Sequence, residues 1–278
     1  MLRSSNPILS KQDAFTPGGR GGQQGARGFA PYPGQGSGQG PYGTDPYQQQ
    51  VSPSEGRMTF DDVITKTIMT MAILVAGAAV GWFLVPDTIK TPVMIVSALV
   101  GFAAVLVVSL RRVINPAFVL AYAAIEGVFI GIISYVFESI YPGIVVQAVF
   151  ATLVAAGVTL AAYKIFNIRV TAKFQKIVIL STVAFAAVML INFVVVLVTN
   201  GTGLRGGLLG PVSPLAVGIS AIAIVLCVLN LILDFDYIEK GVAAGAPARE
   251  SWRGAFGLTV TMVWLYIEML RLLSYLRR

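Results

Sequence analysis

The sequence contains no histidine and a single cysteine, Cys227, among its 278 residues. An internal disulfide is therefore impossible, and a histidine ligand, general base or pH switch is excluded. Titration near neutral pH would have to come from carboxyl groups. The sequence also lacks a nucleophile with an adjacent base, a phosphate-binding loop and a zinc-protease spacing. These absences argue against an enzyme and predict no bound cofactor.

Charged residues are scarce, at 12% against about 25% in soluble domains, while 56% of the residues are hydrophobic. The mean hydropathy is +0.77, which indicates a polytopic membrane protein. The net charge is +7, and its placement between apolar runs favours membrane topology over nucleic-acid binding. The first fifteen residues contain no apolar core typical of a cleavable signal peptide.

Residues 1–57 differ from the rest, because they hold 12 of the 29 glycines and 7 of the 14 prolines. Such a segment has too little apolar surface to offset the entropy cost of ordering. We expect a disordered cytoplasmic interaction tail, rich in Gly, Pro and Gln, without a nucleic-acid partner.

Residues 58–278 contain seven apolar runs, each about as long as a hydrocarbon core of roughly 30 Å requires. The runs are too long for strands and lack alternation with period two. They predict an all-α membrane domain with seven spans at about 64–85, 91–110, 117–137, 143–163, 177–198, 212–233 and 254–276.

Loop charges predict the orientation of these spans. With a cytoplasmic N-terminus, the inside loops carry nine Lys and Arg residues and the outside loops carry two. Arg277 and Arg278 would then lie outside, and the sequence leaves open whether the last helix crosses completely.

Three charged residues lie within apolar runs. A carboxylate at a helix centre costs about 2.5–3.5 kcal/mol, so Glu268 and Glu126 should face protein rather than lipid. Glu268 and Arg271 are three residues apart and can pair within one helix. Glu126 either bonds to a neighbouring helix as a protonated acid or belongs to an ion or proton path. Gly127 and Gly131 predict close helix packing beside it.

An acidic cluster closes the sixth run. Asp234 and Asp236 lie about 200° apart on an ideal helix and face different ways, whereas Asp236 and Glu239 share a face. Asp236 and Glu239 are typical of a solvated boundary. Asp234 abuts the apolar run and is the stronger candidate for a functional site.

Three stretches, NPAFVLAYAAIEGVFIGIIS from Asn115, DFDYIEKG from Asp234 and LYIEMLRLL from Leu265, resemble the Bax inhibitor family. The similarity is to its bacterial branch with a Gly/Pro/Gln-rich tail and covers about residues 58–278. It implies a bacterial plasma-membrane protein, built as a seven-helix bundle with the last helix in the centre and the other six around it.

The resemblance also implies a pH-sensitive Ca²⁺ leak, controlled by two facing carboxyl groups on the sixth and seventh helices. Asp234 and Glu268 match these positions, although the family usually has Asp at the second, and they would line a path for Ca²⁺ and protons. An arginine latch on the second helix is implied as well, for which Arg111 and Arg112 are the candidates. Apart from the resemblance, four charged residues are candidates for a supporting role: Asp236, Glu239, Arg271 and Glu126.

Spacing alone does not pair the two carboxyl groups. An ideal bundle puts Asp234 near the inner boundary and Glu268 about 21 Å deeper than Gly254, where the last span starts. Two other functions stay open. One is an adaptor that binds other membrane proteins such as quality-control proteases, and the other is a proton-coupled transporter, for which no inverted repeat is evident.

Overall fold

The computed structural model describes residues 56–199, 203–206 and 212–278. This part forms seven helices: α1 (Phe60–Ala79, continued by a π-helical turn Val80–Leu84), α2 (Asp87–Leu110), α3 (Pro116–Ile140), α4 (Ile144–Ile165), α5 (Ala172–Thr199), α6 (Pro214–Ala243) and α7 (Glu250–Leu276). Each is long and apolar enough to span a membrane. The predicted all-α, seven-helix architecture is therefore confirmed.

The predicted tail falls almost wholly on residues 1–55, which lie outside the described residues. Its last two residues belong to the helical domain instead. The carbonyl of Gly56 accepts a hydrogen bond from the amide of Ala248 at 2.7 Å, and Arg57 pairs with Pro247. The backbone of this segment is thus held by the loop between α6 and α7.

Side-chain caps begin three of the helices. Thr59 Oγ1 accepts a hydrogen bond from the amide of Asp62 at 3.1 Å, and Ser213 Oγ caps α6 in the same way. Asn115 Oδ1 accepts from the amide of Ala117, with a proline at the first position of α3. These caps satisfy amides that have no partner within the helix.

Glycines bring α1 and α3 into backbone contact. A Cβ atom added to Gly77 would overlap the carbonyl of Ala124, and one added to Gly127 would overlap the carbonyl of Leu74. Gly131 faces Ala78 in the same way. The close approach predicted beside Glu126 is present, because small residues let membrane helices pack without a side chain between them.

Helix α7 lies in the centre of the bundle. It packs directly on α1, α3, α4 and α6, and its residues Leu265 and Leu270 are completely buried. Helix α5 reaches it through Phe185, whose ring lies 5.8 Å from that of Trp264. Helix α2 reaches it at a buried cluster that includes Phe256. The central position implied by the resemblance is confirmed.

The ends of α7 lie on opposite sides of the bundle. We call the side on which α1 begins the entry side and the opposite side the far side. At the entry side, Arg253 Nη2 donates to the carbonyl of Arg112 at 2.9 Å. At the far side, Arg277 Nη1 donates to the carbonyl of Pro142, in the turn between α3 and α4, at 2.8 Å. The last helix therefore crosses completely, and its basic end suits a helix C-terminus.

Helix α6 continues ten residues beyond its predicted end at 233, and α7 begins four residues before its predicted start. The acidic cluster therefore lies within a helix and not at its boundary. Ile238 and Val242 explain this difference, since they continue the apolar stripe of α6 and pack with Met58 and Val63. Their burial keeps the chain helical while charged residues occupy other faces.

Candidate functional site

Asp234 is held against α7 by two neighbouring features of that helix. Its Oδ2 atom accepts a hydrogen bond from Thr261 Oγ1 at 2.7 Å. Its Oδ1 atom lies over Gly257, where an added Cβ atom would come within 2.8 Å. A glycine and a threonine one turn apart thus form a notch that receives the carboxyl group.

A cavity of ≈ 310 Å³ reaches Asp234 between α2, α6 and α7. Hydrogen bonds at the entry side order its mouth, because Glu250 Oε2 accepts from Arg253 Nε at 2.7 Å and from the hydroxyl of Tyr237 at 3.0 Å. The cavity gives the Asp234 carboxyl group access from the entry side. Its lining includes Val105, Val108, Ile114, Asp234, Arg253 and Gly257.

Glu268 forms a buried ion pair with an arginine from the loop between α5 and α6. Its Oε1 atom lies 2.7 Å from Arg205 Nη1, and the two side chains are 3% and 9% exposed. The carbonyl of Arg205 accepts a hydrogen bond from the hydroxyl of Tyr275 at 3.1 Å, and its guanidinium lies 5.6 Å from the ring of Phe185. A loop of the far side is therefore fastened into the bundle.

The loop geometry directs Arg205 inward. Gly203 and Gly206 adopt φ values of 64° and 67°, which are easily accessible only to glycine. Between them, the amide of Leu204 donates to Asn192 Oδ1 at 2.8 Å. In the sequence, Arg205 is one of the two basic residues of the predicted outside loops, and loop charge alone predicts no inward contact. The signal available in the sequence was an arginine flanked by glycines, opposite a buried glutamate that needs a partner.

The predicted pair of Glu268 with Arg271 does not form, because Glu268 pairs with Arg205 instead. Three nitrogen and oxygen atoms of this cluster are buried without a hydrogen-bond partner in the described part of the chain: Glu268 Oε2, Arg205 Nε and Arg271 Nε. Two guanidinium groups and one carboxylate leave an excess positive charge near the far side.

The structure does not bring Asp234 and Glu268 together. Asp234 contacts Thr261, which lies seven residues before Glu268 and hence about 10 Å away along α7. The unbroken, antiparallel helices fix this register, because Leu231 and Leu265 pack in one buried cluster. The facing arrangement implied by the resemblance is absent from this structure, whereas the roles of both residues stay predictions.

Arg111 and Arg112 do not form the implied latch in this structure. The guanidinium of Arg111 lies 4.3 Å from the ring of Phe118, and the carbonyls of both arginines accept from Arg253. Both residues are exposed at the end of α2 on the entry side. The arginine that reaches one of the two candidate carboxyl groups comes instead from the far side.

The two other acidic residues of α6 form ion pairs at the entry side. Asp236 is buried and pairs with Lys240 at 2.7 Å. Glu239 pairs with Lys164 of α4 at 3.2 Å, and both of these side chains are about half exposed. Glu239 is about half exposed, as the sequence predicts for a residue at a solvated boundary. Asp236 is buried, which differs from that prediction.

Glu126 fills a notch between α2 and α3. Its Oε2 atom occupies the space that a Cβ atom on Gly101 would need. Within the described residues, no three His, Cys, Asp or Glu side chains form a group that could hold a metal ion. The three carboxyl groups have different contacts: Glu126 lies at Gly101, Asp234 at Thr261, and Glu268 at Arg205.

A bundle of seven apolar helices, in which the last helix is central, defines an integral membrane protein. A family model described as Bax inhibitor 1 like matches residues 6–278. The chain therefore belongs to the Bax inhibitor family. The match also includes most of the tail, which the resemblance in the sequence leaves out. No curated protein matches the chain.

Proposed function

We propose that this protein is a Ca²⁺ leak channel that opens when Glu268 is protonated. The observation that supports this function most strongly is the buried ion pair of Glu268 with Arg205. It joins the central helix to a loop of the far side and depends on a charge that a proton can remove. The pair would keep the channel closed while Glu268 is ionised.

The cavity at Asp234 supports a cation path from the entry side. Ca²⁺ is a hard cation that prefers oxygen ligands, and a carboxylate at the end of a cavity offers such atoms. The Asp234 carboxyl group is reached through this cavity, whereas Glu268 is almost completely buried. Asp234 would attract the cation, and the Arg205–Glu268 pair would block its exit.

The ion pair predicts the sign of the pH dependence. Protonation of Glu268 would leave the Arg205 guanidinium buried without its counter-charge. Loss of one partner of a buried pair costs about 3–5 kcal/mol, and part of this cost is relieved if the arginine moves to water. The loop would then leave the bundle, so the leak increases as the pH falls.

We infer that the membrane is a bacterial plasma membrane, and the loop charges support an orientation with the entry side in the cytoplasm. In that orientation Arg205 lies on the outer side, and the channel would respond to protons arriving from outside. Ca²⁺ and protons are then the permeant and regulating ions, and a resident cofactor is not required.

The experiment that tests this function is ⁴⁵Ca²⁺ uptake into proteoliposomes, scanned from about pH 5 to about pH 8. The native protein should give a flux that rises with acidity, and Glu268→Gln should give a high flux at every pH. Asp87→Asn is the matched control, because Asp87 forms a far-side ion pair with Lys90 and its own side chain is 77% exposed. Absence of protein-dependent flux at every pH would contradict the proposal and favour a membrane adaptor.

A further inference from the structure

A second cavity lies on the other side of α7. It is a groove of ≈ 830 Å³ between α1 and α4, and α7 forms its floor through Leu258, Met262 and Tyr266. Both flanking helices are membrane spans, so the groove lies at the depth of the hydrocarbon core. Whatever occupies it touches the central helix directly.

The hydroxyl groups that line the groove already have partners. The hydroxyl of Thr67 donates to the carbonyl of Val63 at 2.8 Å, and that of Thr152 donates to the carbonyl of Ala148 at 2.7 Å. The hydroxyls of Ser134 and Tyr266 bond to each other. A ligand would therefore find little hydrogen-bonding capacity along the walls, which suits a hydrocarbon chain.

The length of the groove suits a hydrocarbon chain. The groove extends along α1 from Thr67 to Phe83, or about 24 Å at 1.5 Å per residue. It is therefore long enough for an acyl chain that lies along the helices.

A cation lies at the entry-side end of the groove. Lys164 follows the lining residue Leu160 by one turn of α4, and its Nζ atom lies 5.6 Å from the ring of Phe60 on α1. Its side chain is 55% exposed and bonds to Glu239 at 3.2 Å. An ammonium group has three donors, so Lys164 retains capacity to bind a phosphate oxygen. This charge complements the headgroup of a phospholipid.

We propose that the groove binds one acyl chain of a phospholipid from the entry-side leaflet, with the lipid phosphate at Lys164. The chain supplies the wall between α1 and α4 and packs on Met262 and Tyr266 of α7. This inference does not depend on the proposed leak, since it rests on the shape, polarity and charge of the groove.

Gly157 offers a direct way to fill the groove. It lines the groove, and a Cβ atom added to it would meet no atom within 4 Å. Gly157→Trp should therefore place an indole in the space of the lipid chain. Gly218 is equally open but lies outside the groove lining, on α6, so Gly218→Trp is the matched control.

The test measures phospholipid retained by the purified full-length protein, using native mass spectrometry after addition of phosphatidylglycerol. The native protein and Gly218→Trp should each retain one phospholipid, and Gly157→Trp should lose most of it. Lys164→Met should weaken retention of phosphatidylglycerol but not of diacylglycerol, which lacks the phosphate. Thermal unfolding checks that each variant is folded, and Gly157→Phe replaces the tryptophan variant if that one misfolds.

Equal retention by the native protein and the folded groove-filling variant would overturn the proposal. Binding of free glycerol phosphate in place of the lipid would also overturn it, because the acyl chain would then contribute nothing. Retention of a membrane-spanning partner in the groove, lost in Gly157→Trp, would assign the surface to a protein and contradict the lipid assignment.

Discussion

Arg205 Nη1 lies 2.7 Å from Glu268 Oε1, although the two residues are 63 positions apart in the chain. The contact joins a loop of the far side to the centre of the last helix. It also explains how α7 carries a glutamate within an apolar run, since the charge is paired and hidden from lipid. In the proposed mechanism, this contact holds the channel closed while the carboxyl group of Glu268 is ionised.

The ion pair should contribute strongly to stability. Arg205→Met and Glu268→Gln should each lower the free energy of unfolding by about 3–5 kcal/mol, because each leaves a buried group without its partner. The double variant should lose less free energy of unfolding than the two single variants lose together. Denaturant unfolding of the purified protein in detergent measures this coupling, and strictly additive losses would show that the two side chains do not interact.

Arg205→Gln should reproduce the flux of Glu268→Gln, because either substitution removes one charge of the pair. We expect a raised Ca²⁺ flux at neutral pH and little further change on acidification. The measurement is the proteoliposome assay with Asp87→Asn as the control. If the flux of Arg205→Gln keeps the native pH profile, this arginine does not take part in gating.

Asp234→Asn should lower Ca²⁺ flux at every pH while leaving the acid activation in place. The amide oxygen can still accept the hydrogen bond of Thr261, so the fold should change little, but the negative charge at the end of the cavity is lost. Loss of acid activation in this variant, with Glu268 intact, would instead support direct coupling of Asp234 to the sensor.

The contact between α1 and α3 should be intolerant of any side chain. A Cβ atom on Gly127 would overlap the carbonyl of Leu74, and backbone atoms cannot move aside as a flexible side chain does. Gly127→Ala should lower the free energy of unfolding by about 1–3 kcal/mol. Gly157→Ala adds its methyl group to open space and should be neutral or slightly stabilising. Equal unfolding midpoints for the two variants would contradict this packing.

The sequence predicts the helices well because each apolar run matches the thickness of the membrane. It places the end of α6 too early, since Asp234 and Asp236 resemble a boundary while Ile238 and Val242 continue the buried stripe. Ile238 and Val242 become covered only when the segment at Met58 packs against them. Helix ends set by contacts between distant segments are not visible in local composition.

The candidate site was predictable only in part. The cost of a carboxylate in hydrocarbon identifies Glu126 and Glu268 as residues that face protein. It does not identify the partner of Glu268, because Arg205 comes from a loop whose inward direction depends on two glycines with positive φ. The register of α6 against α7, which keeps Asp234 beside Thr261, is likewise a property of packing.

Exchange of the two charges tests the central claim most directly. The measurement is ⁴⁵Ca²⁺ flux at neutral pH for the native protein, Arg205→Glu, Glu268→Arg and the double variant carrying both changes. Each single variant places two like charges together and should leak, whereas the double variant restores an ion pair and should be nearly as closed as the native protein. A Ca²⁺ flux in the double variant as high as in the single variants would contradict a channel held shut by Arg205 and Glu268. A flux in the single variants as low as in the native protein would contradict it as well.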